Sequence, residues 1–203
     1  MATMKSFIHR LLSTLLLIYI SVTCRAVTLN NSSDQRRAAD TCADSTLADV
    51  WVQAYSPSVT AHFIRSPWVY IANIANGGDL QFQGPVFRAW ETPQEFTVPL
   101  YEFNRPDNSD ILFLASTDGN PPTVDGYVNV GITGYVYATE VCGSVPLLVA
   151  ANNATTDHWY TTNALQHSSI VASGWIDEGV AAFVLPLTSG KLFMLVLLSQ
   201  SHS

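Results

Sequence analysis

The sequence contains little charge, and above all few basic residues. Charged residues make up 12% of its 203 residues, whereas soluble domains average roughly 25%. Aromatic residues reach 11%, and disordered chains are rich in charge and poor in aromatics, so the composition excludes disorder for most of the chain. Nine Lys and Arg residues face sixteen Asp and Glu residues. This balance leaves no basic surface for phosphates, and we predict no nucleic-acid partner.

Recognisable catalytic and metal-binding motifs are also missing. The sequence has no Gly-x-Ser-x-Gly element, no glycine-rich phosphate loop and no His-Glu-x-x-His motif. Its histidines lack the spacing of metal ligands, so we predict neither a metal nor a cofactor. Asp177 and Glu178 are adjacent carboxylates, but neighbouring strand residues point to opposite faces, whereas glycosidase acids face each other across about 5–9 Å. We therefore predict no catalytic residue and favour a protein that is not an enzyme.

A single long apolar block lies near the N-terminus, at residues 11–23. Lys5 and Arg10 precede this block, and Cys24-Arg25-Ala26 follows it. This is the pattern of a secretory signal peptide, and the block is too short for a membrane helix of roughly 20 residues. We predict a signal peptide over 1–26 and a secreted, extracellular protein without a membrane span in its mature chain. A short N-terminal membrane anchor is the alternative.

Removal of the signal peptide changes the cysteine count and the net charge. Cys24 is lost, so the odd number of three cysteines becomes the pair Cys42 and Cys142. In an oxidising compartment we predict a disulfide between these two, with two buried free thiols as the alternative. The loss of three basic residues leaves six against sixteen acids, a net charge of −10.

Residues 27–41 are polar and have no hydrophobic period, which predicts a disordered lead-in. Asn30 and Asn31 begin Asn-x-Ser sequons in this segment, and Asn153 begins an Asn-x-Thr sequon further along the chain. On a secreted chain we predict N-glycans at these three asparagines. Arg36-Arg37 is either a dibasic processing site or a pair of solvated arginines.

Short apolar runs recur along the chain between its ten prolines and eleven glycines, which favours β-structure. Val98-Pro99-Leu100-Tyr101 returns as Val145-Pro146-Leu147-Leu148. A weaker upstream copy has Ala61-His62-Phe63 in the place of Asp157-His158-Trp159. We therefore predict three repeat units, at about 46–95, 96–143 and 144–187.

Each unit has the pattern of four short strands. In the second unit the predicted strands are 98–103, 111–115, 126–130 and 133–139. The third unit also contains a predicted stretch of helical turns at 164–173. Three such units predict an all-β fold in a closed pseudo-threefold arrangement resembling a β-trefoil. Propeller-like blades or a solenoid are the alternatives, although propellers typically need four to eight blades and solenoids need polar end caps.

These motifs resemble those of a repeat family of unknown function found in secreted fungal and bacterial proteins. Its unit reads Val-Pro-Leu-Tyr, then Asp-His-Phe-Tyr-Thr-Thr, then Gly-Tyr-x-x-Glu-Gly-Ile-Ala-Gly-Tyr-Val. The third unit matches best, while Ile111 replaces the motif's His in the second unit and Ala61 replaces the Asp in the first. The resemblance covers about residues 42–187. It implies a secreted, β-rich module and brings no catalytic assignment.

The best candidate for a ligand site lies in the third unit. We predict ligand binding by five residues: Asp157, His158, Trp159, Tyr160 and Trp175. Aromatic faces would stack on a sugar ring, and Asp157 would accept hydrogen bonds from its hydroxyl groups. The structural alternative is that Asp157 bonds backbone amides at the turn while His158 fills a half-buried strand position. The choice between these two interpretations depends on whether His158, Trp159 and Trp175 share one concave, exposed patch.

We predict a monomeric, non-catalytic module that binds an extracellular or cell-wall glycan. A secreted hydrolase and a protein-binding, effector-like module are the alternatives. The tail 188–203 lies outside the predicted units, and its apolar run 192–198 is too short for a membrane span. This tail is an extra strand, a partner-binding strip or the product of a gene model that runs past a splice site.

Overall fold

A computed structural model describes residues 41–187. The predicted signal peptide 1–26, residues 27–40 of the predicted lead-in and the tail 188–203 lie outside the described residues. The predictions for Asn30, Asn31 and Arg36-Arg37 therefore remain predictions. Within the described part, no helix is both long enough and apolar enough to cross a membrane.

The described chain is mostly β-structure, with nine strands in three antiparallel sheets. The strands are β1 (Asp49–Ser56), β2 (Ala61–Arg65), β3 (Gln81–Ala89), β4 (Val98–Asn104), β5 (Ile111–Ala115), β6 (Val128–Val136), β7 (Val145–Asn152), β8 (Asp157–Thr161) and β9 (Ile176–Val184). The strand orders are β2-β1-β3, β5-β4-β6 and β8-β7-β9. The prediction of an all-β fold class is therefore confirmed.

The three sheets share one register. In each sheet the same position of the central strand pairs with an apolar residue on one side and with a glycine of positive φ on the other. The three sets are Gln53 with Ile64 and Gly84, Glu102 with Phe113 and Gly131, and Val149 with Tyr160 and Gly179. The register shifts beside this position, as expected of a β-bulge that places glycine in a backbone conformation disfavoured for other residues.

Each sheet has three strands, not the four that the sequence predicts. Strand β6 is continuous from the second half of the predicted strand 126–130 into the first half of the predicted strand 133–139. Gly131, with a φ of 130°, lies between them. The glycine produces a bulge in one strand instead of a turn between two, because its neighbours continue to pair with β4 on both sides.

Two α-helices accompany the strands, α1 (Pro67–Ala75) and α2 (Ala164–Ala172). Helix α1 has no counterpart among the predicted elements. It begins with Pro67, whose fixed φ and missing N–H suit the first helical position. Helix α2 agrees with the helical turns predicted at 164–173, and the side chain of Asn163 caps its N-terminus.

One apolar core is shared by the three sheets. Its buried side chains include Trp51, Phe87, Leu100, Phe113, Leu147 and Tyr160. Gly134 makes room for the Trp51 indole, because a Cβ at this position would lie 2.6 Å from the ring. Complete burial of one large apolar side chain contributes about 1.5–3 kcal/mol, so this core is the main source of stability.

The ends of the sheets meet at a second apolar cluster beside a disulfide. Cys42 and Cys142 are bonded, which confirms the predicted disulfide. The cluster consists of Ala43, Ala48, Trp90, Tyr137 and Leu185. Three isolated antiparallel bridges connect the sheets in this region, namely Arg88 with Leu185, Trp90 with Tyr135, and Tyr137 with Phe183. Each sheet is thereby hydrogen-bonded to the other two.

Candidate functional site

A cleft of about 590 Å³ opens between the first and third sheets. Its polar walls are amides and hydroxyls, supplied by Gln53, Gln83, Thr161, Thr162, Asn163 and Gln166. Its other walls are Trp159, Tyr160, Gly84, Pro85, Val86 and Leu187. We call this space the amide cleft. Its described lining carries no Asp, Glu, His, Lys or Arg side chain.

Trp159 is held in the amide cleft by a buried glutamine. The Gln53 side chain is only 4% exposed. With its amide oriented to match its neighbours, its Oε1 accepts a hydrogen bond from Trp159 Nε1 at 2.6 Å and its Nε2 donates to the Tyr160 carbonyl at 2.9 Å. Gln83 lies 2.8 Å from the same amide. The indole ring is therefore fixed in orientation before any ligand arrives.

The opposite wall is the start of helix α2. Asn163 caps the helix, because its Oδ1 accepts hydrogen bonds from the backbone N–H groups of Leu165 and Gln166. Thr161 Oγ1 donates to Gln166 Oε1 at 2.9 Å, and Thr162 Oγ1 donates to the Val86 carbonyl at 3.1 Å. These bonds use the acceptor oxygens of Asn163 and Gln166. The Nδ2 group of Asn163 and the Nε2 group of Gln166 can then donate hydrogen bonds to acceptor atoms of a ligand.

The equivalent position of the second sheet is occupied by an ion pair. Glu102 corresponds to Gln53 in the shared register, is 3% exposed and pairs with Arg65 of β2. The Arg65 guanidinium also lies 5.7 Å from the centre of the Phe113 ring. Thr161 is the counterpart of Arg65 on β8 by strand position. A short threonine in the place of a long arginine leaves space that the amide cleft uses.

A shallower groove of about 470 Å³ lies along helix α2. It is lined by Trp159, Leu165, Gln166, Ser169, Ile170 and Ser173, and we call it the α2 groove. Trp159 and Gln166 line both the amide cleft and the α2 groove. The two concave surfaces are thus adjacent, with the tryptophan at their shared border.

Asp157, one of the predicted ligand residues, is buried and bonded to the first sheet. It is 4% exposed, and its Oδ2 lies 2.7 Å from His62 Nδ1 while its Oδ1 accepts from the His62 backbone N–H. His62 Nε2 lies 3.2 Å from the Gln83 amide. Asp157 therefore joins two sheets behind the amide cleft and does not line it.

His158 lies between two carboxylates at the junction of the second and third sheets. Its Nδ1 is 2.8 Å from Asp110 Oδ1, and its Nε2 is 3.0 Å from Glu178 Oε2. Tyr127 donates its hydroxyl hydrogen to Asp110 as well. Burial lowers the pKa of His158, but the hydrogen bond and charge of Asp110, together with Glu178, outweigh burial and raise the pKa above its ordinary value.

The three predicted aromatic ligand residues do not share one surface. Trp159 is half-buried and lines the amide cleft, and Tyr160 lines its floor although it is only 1% exposed. The Tyr160 hydroxyl accepts a hydrogen bond from the Phe113 backbone at 3.0 Å, and burial raises its pKa. Trp175 is half-buried and lies against His62, with ring centres 6.5 Å apart. The structure brings Trp159 and Tyr160 together and places Trp175 elsewhere.

Sequence reasoning missed the amides that define the cleft. Gln53, Gln83 and Gln166 come from three separate segments, and no local motif marks them. Alignment of the repeats could have found one of them, because Gln53 occupies the position that the charged Glu102 holds in the second unit. The predicted sequon residue Asn153 is exposed in the turn between β7 and β8. Residues 41–187 contain no group of three or more His, Cys, Asp or Glu arranged to hold a metal ion.

Comparison with known proteins identifies one family. A family model described as "Domain of unknown function (DUF5648)" matches residues 50–185. This match covers the nine strands except Asp49, all residues that line the amide cleft except Leu187, and both histidine–carboxylate networks. No curated protein and no solved structure matches the chain.

Proposed function

We propose that this chain, which belongs to the DUF5648 family, a domain of unknown function, is a secreted, non-catalytic module that binds carbohydrate in the amide cleft. The observation that carries this proposal is the composition of the cleft, in which one fixed tryptophan faces amide and hydroxyl groups without a charged side chain. Sugars present both apolar C–H faces and hydroxyl groups. An aromatic surface with a few well-placed polar groups suits both.

The positions of the carboxylates favour binding over hydrolysis. Hydrolysis of a glycosidic bond by the usual route needs two carboxyl groups facing each other across the sugar. Asp110 and Asp157 are buried and bonded to histidines, and neither lines the amide cleft. Asp177 Oδ1 accepts a hydrogen bond from the Gly179 backbone at 2.8 Å, while Glu178 contacts His158. These contacts give the acids structural roles.

The proposed extracellular location is supported by the disulfide. Cys42 and Cys142 are bonded, and structural disulfides persist in oxidising compartments. The predicted signal peptide 1–26 would deliver the chain to such a compartment. A glycan of the extracellular space or of a cell wall is then the partner that the amide cleft would meet.

We also propose that the three sheets close into a pseudo-threefold arrangement resembling a β-trefoil, with propeller-like blades as the alternative. The shared register and the common core support this arrangement. The three bridges between the sheets support it further, because they connect each sheet with both others. In such an arrangement the three junctions are equivalent by position, and only their side chains differ.

A protein-binding module is the second candidate function, and helix α1 favours it. Trp68, Ile71 and Ile74 on this helix are 72%, 57% and 56% exposed. A cluster of large exposed apolar side chains is a frequent mark of a protein-binding surface. This surface lies on the first unit and contributes no residue to the amide cleft.

The carbohydrate proposal can be tested with glycan arrays and insoluble-polysaccharide pull-downs. The full chain, secreted from a eukaryotic host, is expected to be retained on at least one extracellular or cell-wall glycan. Trp159→Ala is expected to weaken retention by about tenfold or more, which corresponds to 1.4 kcal/mol. Gln83→Ala, which removes an exposed side chain from the same cleft, should weaken glycan retention without unfolding the protein.

Trp68→Ala is the matched control, because it removes an exposed tryptophan outside the cleft. Thermal unfolding confirms that each variant is folded. Failure of the wild-type chain to bind any glycan would contradict the proposal, as would equal retention of the Trp159 and Trp68 variants. Loss of glycan retention in the Trp68 variant alone would place the glycan on helix α1 and would also contradict binding in the amide cleft.

A further inference from the structure

Resting on the proposed function, we infer that the ligand is a neutral oligosaccharide that crosses Trp159, with sugar rings in both the amide cleft and the α2 groove. The two spaces measure about 590 and 470 Å³ and share Trp159 and Gln166. A single sugar ring would use one of them. A chain of sugars is the ligand class that uses both, because its rings continue from one space into the next.

Trp159 is suited to act as a fixed border between two neighbouring rings. Its Nε1 donates to the buried Gln53, so the indole cannot rotate away without breaking this bond. An aromatic ring that is already in its bound orientation loses little conformational freedom on binding. The cost of ordering the site is therefore small, and the contacts on either side of the ring contribute directly to affinity.

The two spaces differ in their hydrogen-bonding chemistry. In the α2 groove, Ser169 Oγ donates to the Leu165 carbonyl at 2.8 Å and Ser173 Oγ donates to the Ile170 carbonyl at 2.7 Å. These hydroxyls are left with acceptor capacity. Leu165, which is 80% exposed, and Ile170 supply the apolar surface there. The α2 groove thus suits a ring that donates its hydroxyl hydrogens and lays a C–H face on Leu165.

The amide cleft offers the complementary pattern. Asn163 and Gln166 use their oxygens in the cap and in the bond from Thr161, which leaves amide N–H donors for a ligand. A ring in this space is expected to accept hydrogen bonds through its hydroxyl or ring oxygens. The oligosaccharide would therefore bind in only one of its two directions along the amide cleft and the α2 groove.

The lining favours neutral sugars over uronic acids and sulfated sugars. No described side chain of either space is Lys or Arg. A carboxylate or sulfate would lose hydration without gaining a cationic partner, and burial of an unpaired charge is unfavourable. The net charge of −10 that remains after loss of the predicted signal peptide adds a repulsion for anionic polymers.

Calorimetric titration of the full chain against oligosaccharide series tests this inference. The probes are neutral glucose, mannose and N-acetylglucosamine oligomers of one to about six units, together with oligogalacturonate as the anionic series. For the series that binds, affinity is expected to rise about tenfold or more between the monomer and the tetramer. Oligogalacturonate is expected to bind at least about tenfold more weakly.

Two arginine substitutions on helix α2 test whether the α2 groove contributes to binding in addition to the amide cleft. Ser169→Arg fills the α2 groove and is expected to reduce the affinity of the tetramer to that of the monomer, while monomer binding is kept. Ser168→Arg places the same charge on the neighbouring exposed position, which lines neither space. It should therefore leave the length dependence unchanged.

The outcomes distinguish the two proposals. Binding without a gain from monomer to tetramer, or an equal effect of both arginine variants, would overturn the two-space inference and leave carbohydrate binding standing. Equal or tighter binding of oligogalacturonate would overturn the preference for neutral sugars. No binding of any probe here, combined with no retention on any polysaccharide, would contradict the proposed function itself.

Discussion

His158 is a buried histidine held between two carboxylates, and its surroundings bear on the stability of the protein. It contacts Asp110, which is 1% exposed, and Glu178, whose side chain is 44% exposed. Tyr127 and the Ile111 backbone N–H also donate to Asp110. A buried charge that loses its partner typically costs about 3–5 kcal/mol, so removal of the imidazole is expected to be strongly destabilising.

The raised pKa of His158 predicts a loss of stability at high pH. Since the folded state holds the proton more tightly than the unfolded state, the protonated imidazole stabilises the fold. This contribution is complete below the unfolded pKa of about 6.5 and is lost as pH rises through the higher folded pKa. Thermal unfolding of the wild-type chain is therefore expected to show a midpoint that falls as pH rises above about 6.5.

The variant His158→Gln isolates this contribution. It should be less stable than wild type at acidic pH and should show a flatter dependence of the midpoint on pH. Glu178→Gln removes only the more exposed partner and should retain part of the dependence. His167→Gln, outside this network, controls for the loss of a histidine. An unchanged slope in His158→Gln would contradict the prediction.

Sequence reasoning identified Asp157 and His158 but not their partners. The alternation of side chains along a strand correctly indicates that the two do not form a pair with each other. His158 contacts Glu178 within its own unit, but His62 and Asp110, the partners of Asp157 and His158 in the other sheets, lie in other units. Nothing local in the sequence connects residues so far apart, so the histidine–carboxylate contacts between sheets were not predictable from one motif.

At the scale of elements, helix α2 and the amide cleft depend on the same residue. Asn163 begins the helix through its side-chain oxygen and faces the cleft with the rest of its amide. The helix is short, and short helices have little stability of their own. A change at the cap is therefore expected to affect both the helix and the proposed ligand site.

Two substitutions of Asn163 separate these effects. Asn163→Ala removes the cap and is expected to lower the free energy of unfolding by about 1 kcal/mol, within a range of roughly 0.5–2. Asn163→Asp keeps an acceptor oxygen near the positive end of the helix and should retain most of that stability. Both variants lose the amide donor and should bind the glycan less tightly.

Urea unfolding followed by tryptophan fluorescence measures the stability, and calorimetry measures the binding. The result that would count against the capping role is an equal loss of stability in the two variants. Full glycan affinity in Asn163→Asp would mean that the amide donor is not used by the ligand.

The elements themselves were partly predictable. Runs of Val, Tyr, Phe and Ile between turn residues predicted most strand positions, and β5 has the predicted bounds 111–115. The sequence predicts a break at Gly131, whereas the residues on both sides of it remain paired with β4 and the strand continues. Helix α1 was missed because its apolar residues on every side resemble a strand run more than an amphipathic helix.

At the scale of the whole molecule, the bond between Cys42 and Cys142 closes a loop that contains all six strands of the first two sheets. Its partners are 100 residues apart in the sequence. A covalent link over such a loop reduces the freedom of the unfolded chain, and the chain-entropy model gives about 4.7 kcal/mol as its contribution. This is a large share of the 5–15 kcal/mol that typically separates folded from unfolded domains.

The double variant Cys42→Ser/Cys142→Ser is expected to lower the free energy of unfolding by up to about 4.7 kcal/mol. The sheets should still form, because the cysteines lie outside all nine strands. Urea unfolding of the wild-type and double-variant chains measures the difference. Wild-type chain treated with a reductant is the control and should approach the variant. A double variant as stable as the oxidised wild type would contradict the prediction.

The sequence predicts the three repeat units, but it does not predict how the side chains differ where adjacent sheets meet. Motif comparison aligns Val98 with Val145, but the functional contrast lies in Gln53, Glu102 and Val149, which occupy one position of the shared register. Whether such a position is open or filled depends on a residue from the adjacent sheet, such as Arg65 or Thr161. That contact exists only after the sheets have assembled.

The cluster beside the disulfide has a practical consequence. Ala43, near the start of the described chain, and Leu185, near its end, pack into the same group of side chains. The Ala43 backbone N–H also donates to the Tyr137 hydroxyl at 3.0 Å. A domain with neighbouring ends can be inserted as a cassette into a surface loop of a host protein. The β-domain is thus suited to insertion into a surface loop of an engineered enzyme, where it would bring the proposed glycan site with it.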